Sequence, residues 1–136
     1  MSFRILIADR DVALLKSCRE RFVQLGFEVA TVTGIYECQK HVHSWLPDLI
    51  VLELELIQDE FEGDLSVLRE DIELPGLPIV ILAHCPYDPE LAGIVSDSIR
   101  GWLIKPVGTA EVSRTVRRVL TTQSELVTAD CNVWFG

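Results

Sequence analysis

Five short apolar segments, each followed by a stretch of different composition, constrain the fold of this chain more than any other feature. The segments FRILIA, FEVATV, DLIVLE, IVILA and GWLI occupy residues 3–8, 27–32, 48–53, 79–83 and 101–104. They are too short for helices, and they do not alternate between apolar and polar residues, which indicates strands covered on both faces. Strands of this kind, separated by helices, predict an open, doubly wound α/β sandwich with a parallel sheet.

The segments between the predicted strands show the spacing of helices. Apolar residues recur at helical intervals in 12–25, before Gly26 as a C-cap, and in 34–46, before Pro47. A polar loop is predicted for 55–63. Three further helices are expected around 65–72, after Pro89, and from Thr109 onward, with an apolar face in each of the first and last of these. The apolar residues expected to face the core there are Leu65, Leu68, Ile72, Val112, Val116, Val119 and Leu120.

Composition excludes several classes of function. The 136 residues suit one domain, and 12 basic against 21 acidic residues give a net charge of -9, which disfavours general nucleic-acid binding. No apolar run approaches the roughly 20 residues that span a bilayer, and the charged N-terminus does not resemble a signal peptide. The four cysteines form no C-x-x-C pair and are interpreted as reduced thiols of a cytoplasmic protein. We expect a stand-alone domain over 1–122 and a tail, 123–136, that packs back onto it.

Polar residues gather where the predicted strands end. In a parallel sheet the carboxyl ends of the strands meet at one edge, and function is concentrated there. This rule selects eight residues: Asp9, Arg10, Asp11, Glu53, Glu55, His84, Cys85 and Lys105. Of these, Asp11 and Glu55 are interpreted as solvated charges, and His84 and Cys85 as loop residues that line a cleft.

The order of these features resembles the receiver domain of bacterial two-component response regulators. The resemblance covers about residues 3–120 and rests on ILIAD at 5–9, Pro47-Asp48-Leu49, the proline before strand four, and Lys105-Pro106. It implies a flavodoxin-like, three-layer fold with strand order 2-1-3-4-5 and five helices. It also implies signalling by protein contact, with no enzymatic activity.

The resemblance further implies a phosphorylation pocket, in which this sequence departs from the family. Asp9 and Lys105 match the family's first acid and its lysine. Arg10 stands where a second, Mg²⁺-binding acid belongs, Glu53 where the phosphoacceptor Asp belongs, and Ala83 where a Thr or Ser belongs. The loop after strand three also lacks the family's proline.

The physical consequences of these departures agree with one another. Arg10 removes a carboxylate that Mg²⁺ would need and adds a permanent positive charge. Glu53 carries its carboxylate one methylene farther out than Asp would, and Ala83 has no hydroxyl to donate. We therefore predict a degenerate pocket, closed by ion pairs that join Asp9 and Glu53 to Arg10 and Lys105, with no bound metal or cofactor.

Two other functions remain open at this stage, and so does the choice between Glu53 as a constitutive mimic of a phosphorylated Asp and Glu53 as an inert residue. One is a working phosphoacceptor that uses Glu53 or a nearby acid with Mg²⁺, for which the candidate ligands are Asp9, Glu53 and Glu55. The other is a flavodoxin-like cofactor enzyme, which is disfavoured because the turn after strand one, ADRDVA, lacks the Gly, Ser or Thr residues that cradle phosphate.

Trp102 and the last helix indicate a partner surface. Trp102 occupies the family's switch aromatic, and we expect it to be partly exposed, because an indole prefers a half-buried position with its N–H satisfied. Arg114, Arg117 and Arg118 give the last helix a basic side, which is interpreted either as a solvated helix face or as part of this partner surface. A sensor kinase, an output protein or a scaffold is the expected partner, through the face formed by helix four, strand five and helix five; a homodimer is the alternative. Nucleic acid and membrane are not expected partners.

Overall fold

The structure, a computed structural model, describes residues 2–61, 77–122 and 133–134. Five helices and six strands lie in these ranges. In chain order they are β1 Arg4–Ala8, α1 Val12–Gln24, β2 Glu28–Val32, α2 Ile35–Ser44, β3 Leu49–Glu53, α3 Leu54–Phe61, β4 Ile79–Ala83, α4 Pro89–Val95, β5 Ile99–Ile104, α5 Thr109–Thr122 and β6 Val133–Trp134.

The strands form one sheet in the order β2-β1-β3-β4-β5-β6. The first five are parallel, which confirms the predicted fold class and strand order. The register pairs Ala8 with Leu52 and Glu53 with Leu82, so the carboxyl ends of the three central strands lie side by side. This edge of the sheet therefore collects the polar residues that follow each strand.

Helices cover both faces of the sheet, because successive residues of each central strand point to opposite sides. On one face, Ile5, Ile7 and Val51 pack against α1 and α5. On the other face, Leu6, Ile50 and their neighbours pack against α2, α3 and α4. β1, β3 and β4 are buried along nearly their whole length, which explains why their sequences show no polar alternation.

The end of α1 follows the prediction from its glycine. Gly26 has φ +91°, a conformation that other residues rarely adopt, and its N–H donates to the carbonyl of Val23. The chain then turns directly into β2, and α1 lies against the sheet beside that strand.

The segment after β3 differs from the prediction of a polar loop. α3 begins at Leu54, directly after Glu53, and buries Leu54, Leu56 and Ile57. The helix forms although acids surround these residues in the sequence, because Leu54 and Ile57 lie three residues apart on one side of it, and Leu56 is buried as well. The helix predicted around 65–72 lies outside the described residues.

The tail contributes a short strand at the edge of the sheet. Val133 and Trp134 form β6, which pairs antiparallel with β5 through Leu103 and Trp102. The remainder of 123–136 lies outside the described residues, so the division into a domain and a packed tail stays a prediction. None of the helices in the described ranges combines the length and the apolarity needed to cross a bilayer.

Candidate functional site

The Lys105 ammonium lies between two buried carboxylates at the carboxyl edge of the sheet. Its Nζ is 2.9 Å from Asp9 Oδ2 and 3.1 Å from Glu53 Oε2. Asp9 directly follows β1 and is fully buried, Glu53 ends β3 and is 3% exposed, and the Lys105 side chain is 9% exposed. One cation thus bridges two acids that would repel each other if both were ionised without it.

Arg10 binds Glu53 from the solvent side. The Arg10 Nε and backbone N–H both donate to Glu53 Oε1 at 3.1 Å, and Nη2 donates to Oε2 at 3.4 Å. This two-point contact uses the planar fork of the guanidinium, which matches the geometry of a carboxylate. Both Glu53 oxygens therefore accept hydrogen bonds from cationic groups.

The pKa directions reflect burial and these contacts. Burial raises the pKa of Asp9 above its ordinary value, although the Asp11 backbone N–H and Lys105 both oppose the rise. Burial also acts to raise the pKa of Glu53, but hydrogen bonds from Arg10 and Lys105 outweigh it and lower that pKa. Burial acts to lower the pKa of Lys105, and its contacts with Asp9 and Glu53 reverse the direction, so its pKa is raised. The ammonium is therefore held charged between the acids.

The residues of this site do not fit Mg²⁺. Mg²⁺ requires near-octahedral oxygen ligands at about 2.0–2.1 Å. Asp9 Oδ1 accepts from the Asp11 N–H and from Lys105, and Oδ2 contacts Lys105. Both oxygens of Glu53 are engaged as well, and Arg10 adds positive charge where a second acid would be needed. The positive charge that a metal would supply comes from Arg10 and Lys105.

Glu55 has a role that the sequence analysis missed. Its Oε1 accepts a hydrogen bond from the backbone N–H of His84 at 3.0 Å, which links the start of α3 to the loop after β4. Its Oε2 is buried without a hydrogen-bond partner, so the interpretation of Glu55 as a solvated charge is wrong. The cause is α3, which begins at Leu54, one residue before Glu55, and turns the Glu55 side chain inward. In the sequence, only an apolar pattern of helical spacing at 54–57 could have indicated this helix.

Glu53, Glu55 and His84 also bring one potential metal-ligating atom each within 4.8 Å of the others. The Glu53 oxygens are already bonded to Arg10 and Lys105, which leaves only Glu55 and the exposed His84 to hold an ion. Two ligands fall short of the four that a structural zinc site uses. We assign no metal site here.

The remaining pocket residues complete the arrangement around the ion pairs. Ala83 ends β4 fully buried, and its carbonyl accepts from the Lys105 N–H at 2.7 Å. Its methyl group offers no donor to the pocket. Asp11 accepts from the Leu14 N–H and caps α1. Cys85 is partly buried in the loop after β4.

Trp102 does not occupy the partly exposed position expected from the sequence. It is fully buried, its Nε1–H donates to the Cys85 carbonyl at 3.0 Å, and its ring meets Tyr87 edge-to-face at 5.5 Å. The indole is accommodated because a loop carbonyl satisfies its polar atom, which removes the reason for exposure. A direct role of Trp102 as an exposed anchor for a partner is therefore excluded.

The arginines of the last helix lie beside α1. Arg114 and Arg117 are exposed, Arg118 is half-buried, and with Arg21 of α1 they line a groove of about 370 Å³. Arg21 was not singled out from the sequence. Its position in the last turn of α1 could have suggested it only once α1 and α5 were known to be neighbours.

Solved structures of similar shape are receiver domains. The chemotaxis response regulator CheY4 of Vibrio cholerae is 20% identical, with a TM-score of 0.73 over 88% of this chain and 99% of that chain. A two-component response regulator from Clostridium difficile is 23% identical, with a TM-score of 0.72 over 91% and 100% of the two chains. This chain therefore has the CheY-like, flavodoxin-like fold of response regulator receiver domains.

The curated proteins that match this chain in sequence are distant relatives. No protein-family model matches the chain. "Probable transcriptional regulator ycf27" of Guillardia theta is 23% identical over 124 residues, which are 86% of this chain and 45% of that protein. "Probable methanogenesis regulatory protein FilR2" of Methanothrix harundinacea is 28% identical over 74 residues, 54% of this chain and 48% of that protein. The chain spans about half the length of these curated relatives.

Proposed function

We propose that this chain is an atypical receiver domain of two-component signalling, which acts by protein contact and does not use Asp phosphorylation. The observation that carries the proposal is the double neutralisation of Glu53, by Arg10 on one side and Lys105 on the other. A residue in the phosphoacceptor position is thus already satisfied by the chain itself.

The chemistry of phosphoryl transfer explains why this arrangement opposes phosphorylation. Transfer depends on positioning an acceptor oxygen and on neutralising the charge of the phosphoryl group. An attack by Glu53 would have to break its hydrogen bonds with Arg10 or Lys105, and its extra methylene already displaces the carboxylate. Among the described residues of the pocket, Arg10 stands where a second acid would be needed to hold Mg²⁺, so the metal that would assist the transfer lacks a ligand.

The contact between Glu55 and His84 supports a domain held in one state. In the family, a hydroxyl at the position of Ala83 couples the pocket to the neighbouring loop when phosphate is bound. Here the Glu55 carboxylate joins the start of α3 to that loop through the His84 N–H. We infer that the loop after β4, and with it the buried Trp102, keeps a single arrangement that does not depend on a phosphate signal.

The output of such a domain is its surface. We propose that it binds a sensor kinase, an output protein or a scaffold in the cytoplasm, without catalytic activity, cofactor, nucleic acid or membrane contact. A homodimer is the alternative mode of association. The net charge of -9 favours a partner surface that is basic or locally complementary over a polyanion.

Exposure to a phosphodonor tests the proposal. The purified chain is mixed with Mg²⁺ and acetyl phosphate, or with Mg²⁺ and beryllofluoride, and followed by intact mass and tryptophan fluorescence. We expect no added phosphoryl mass and no fluorescence change that depends on Mg²⁺. A stoichiometric gain of one phosphoryl group, abolished by Glu53→Gln, would establish the phosphoacceptor function instead.

A variant with a restored pocket provides the matched control. Arg10→Asp, Glu53→Asp and Ala83→Thr together return the three departed positions to the residue types of the family. We expect this variant to bind Mg²⁺, measured by calorimetry, while the unmodified chain does not. Equal Mg²⁺ binding by both proteins would show that Arg10 does not close the site.

A further inference from the structure

A groove between the last turn of α1 and most of the length of α5 concentrates positive charge in an acidic protein. The groove has a volume of about 370 Å³, and the arginines that line it are Arg21, Arg114, Arg117 and Arg118. We name it the α1–α5 arginine groove. It exists because the two helices pack through their apolar sides on the same face of the sheet, which leaves their outer sides to form a channel. Four of the 12 basic residues of the chain thus border a single surface feature.

Three of these arginines differ from the other arginines of the described residues. Arg4 pairs with Glu28, Arg10 pairs with Glu53, and Arg100 donates to backbone carbonyls. By contrast, the side chains of Arg21, Arg114 and Arg117 make no hydrogen bond or ion pair within the parts of the chain that the structure describes. Grouping like charges without a counter-charge is unfavourable, and an acidic group placed in the groove would relieve this repulsion.

The spacing along α5 indicates the shape of the occupant. Arg114, Arg118 and Thr121 follow one another at intervals of four and three residues, so they lie on one side of the helix. Seven residues of helix rise about 10 Å, which is also the distance covered by acids at positions i, i+4 and i+7 of a second helix. Arginine forks suit carboxylates in particular, because two parallel N–H groups meet two oxygens.

We propose that the α1–α5 arginine groove binds an acidic helix of a protein partner. This inference rests on the proposed function, since it specifies where and with what chemistry the domain makes its protein contact. The groove lies between helices on the sheet face opposite α4, so it differs from the face of α4, β5 and α5 expected from the sequence. A nucleic acid is disfavoured as the occupant, because the net charge of -9 would repel an extended polyanion beyond the groove.

Fluorescence anisotropy with two synthetic helical peptides tests the inference. One labelled peptide carries Glu at i, i+4 and i+7 on an alanine-rich helix, and the other carries Gln at the same positions. We expect the Glu peptide to bind the intact chain about tenfold more tightly than the Gln peptide, and to weaken between about 0.05 M and 0.3 M salt, because exposed ion pairs are screened. Equal binding of the two peptides would overturn the proposal.

Charge reversal locates the binding. Arg114→Glu with Arg117→Glu is expected to weaken the Glu peptide by at least about tenfold. Lys16→Glu with Arg19→Glu applies the same change of charge to exposed residues of α1 outside the groove, and should leave the affinity within about threefold. Equal losses in both variants would mean that net charge, and not the groove, governs binding, and the proposal would fail.

Two additional arms complete the test. If the Glu variant does not fold, judged by circular dichroism, Arg114→Gln with Arg117→Gln replaces it with the same expectation. Competition by inorganic phosphate or by duplex DNA as effective as that by unlabelled Glu peptide would assign the groove to anions in general and would refute an acidic helix as its occupant. If the peptides do not bind as expected and no phosphoryl group is incorporated at the pocket, the groove proposal fails while the proposed function stands. Incorporation of a phosphoryl group would refute the proposed function, whatever the result with the peptides.

Discussion

Removing the Lys105 ammonium gives the most direct test of the ion-pair network. Lys105→Met keeps most of the side-chain length and deletes the charge that lies 2.9 Å from Asp9 and 3.1 Å from Glu53. At these distances each pair is worth about 5 to 6 kcal/mol at an effective dielectric constant of 20, and desolvation of the ions offsets several kcal/mol of this. Because the substitution leaves buried Asp9 without its cation, we expect a loss of about 3–5 kcal/mol in the free energy of unfolding at pH 7.

The pH dependence of this loss has a definite sign. Burial already raises the pKa of Asp9, and loss of the ammonium raises it further, so the folded variant takes up a proton more readily than the unfolded chain. The deficit relative to the unmodified protein should therefore narrow as the pH falls from 7 towards the raised pKa. Adding Asp9→Asn to Lys105→Met should recover part of the loss at pH 7, because the unpaired charge is then gone.

Urea unfolding followed by tryptophan fluorescence measures these differences. Lys40→Met, on the exposed side of α2, provides the control for loss of a lysine charge and should change the free energy of unfolding by no more than about 0.5 kcal/mol. If Lys105→Met resembles Lys40→Met at pH 7, or if its deficit does not change with pH, the ammonium does not hold the two carboxylates together and the reasoning is refuted.

Three further predictions follow from buried groups. Glu53→Gln should cost about 3 kcal/mol in the free energy of unfolding at pH 7. Because the pKa of Glu53 is lowered in the fold, its ionisation contributes stability that is fully present above its ordinary pKa of 4.5 and is lost as the pH falls through the lowered pKa. The difference between Glu53→Gln and the unmodified chain should therefore shrink below pH 4.5, and an unchanged difference at low pH would contradict this. Trp102→Phe should lower the free energy of unfolding in urea by about 1–3 kcal/mol, through a lost hydrogen bond and a small cavity. The substitution should also remove a tryptophan fluorescence component that acrylamide does not quench. Quenching of that component in the unmodified chain would show that the Trp102 indole is exposed. Burial raises the pKa of Cys18 to about 11 and that of Cys38 to about 12, so neither should react with a thiol reagent at pH 8 until urea is added, as mapped by peptide mass spectrometry.

Some pocket geometry could be anticipated from the sequence because it depends on chain order alone. Asp9, Glu53 and Lys105 each fall at or just after the end of a strand, and a parallel sheet brings such ends together whatever the side-chain details. The pairing of Arg10 and Lys105 with the two acids then follows from charge, since two positive and two negative side chains confined to one edge of a sheet have few other low-energy arrangements.

Other features depended on contacts that the sequence does not encode locally. Trp102 was expected at the surface because an indole N–H needs a partner, and only the packed structure shows that the Cys85 carbonyl lies close enough to provide one. A polar loop would leave Glu55 as a solvated charge, but α3 buries Leu54 and Ile57 and so directs the Glu55 carboxylate to the His84 N–H.

The sequence by itself therefore determined the succession of strands along the chain and the residues at the carboxyl edge of the sheet, because these depend on periodicity and residue type, which short-range physics governs. Through its resemblance to receiver domains it also indicated the strand order and the departure of Arg10, Glu53 and Ala83 from a phosphorylation pocket. Only the tertiary structure decided which partners satisfy the polar atoms of Trp102 and Glu55. It also brought Arg21 to Arg114 and Arg117, because their separation in the chain is closed only when α1 and α5 pack side by side on one face of the sheet.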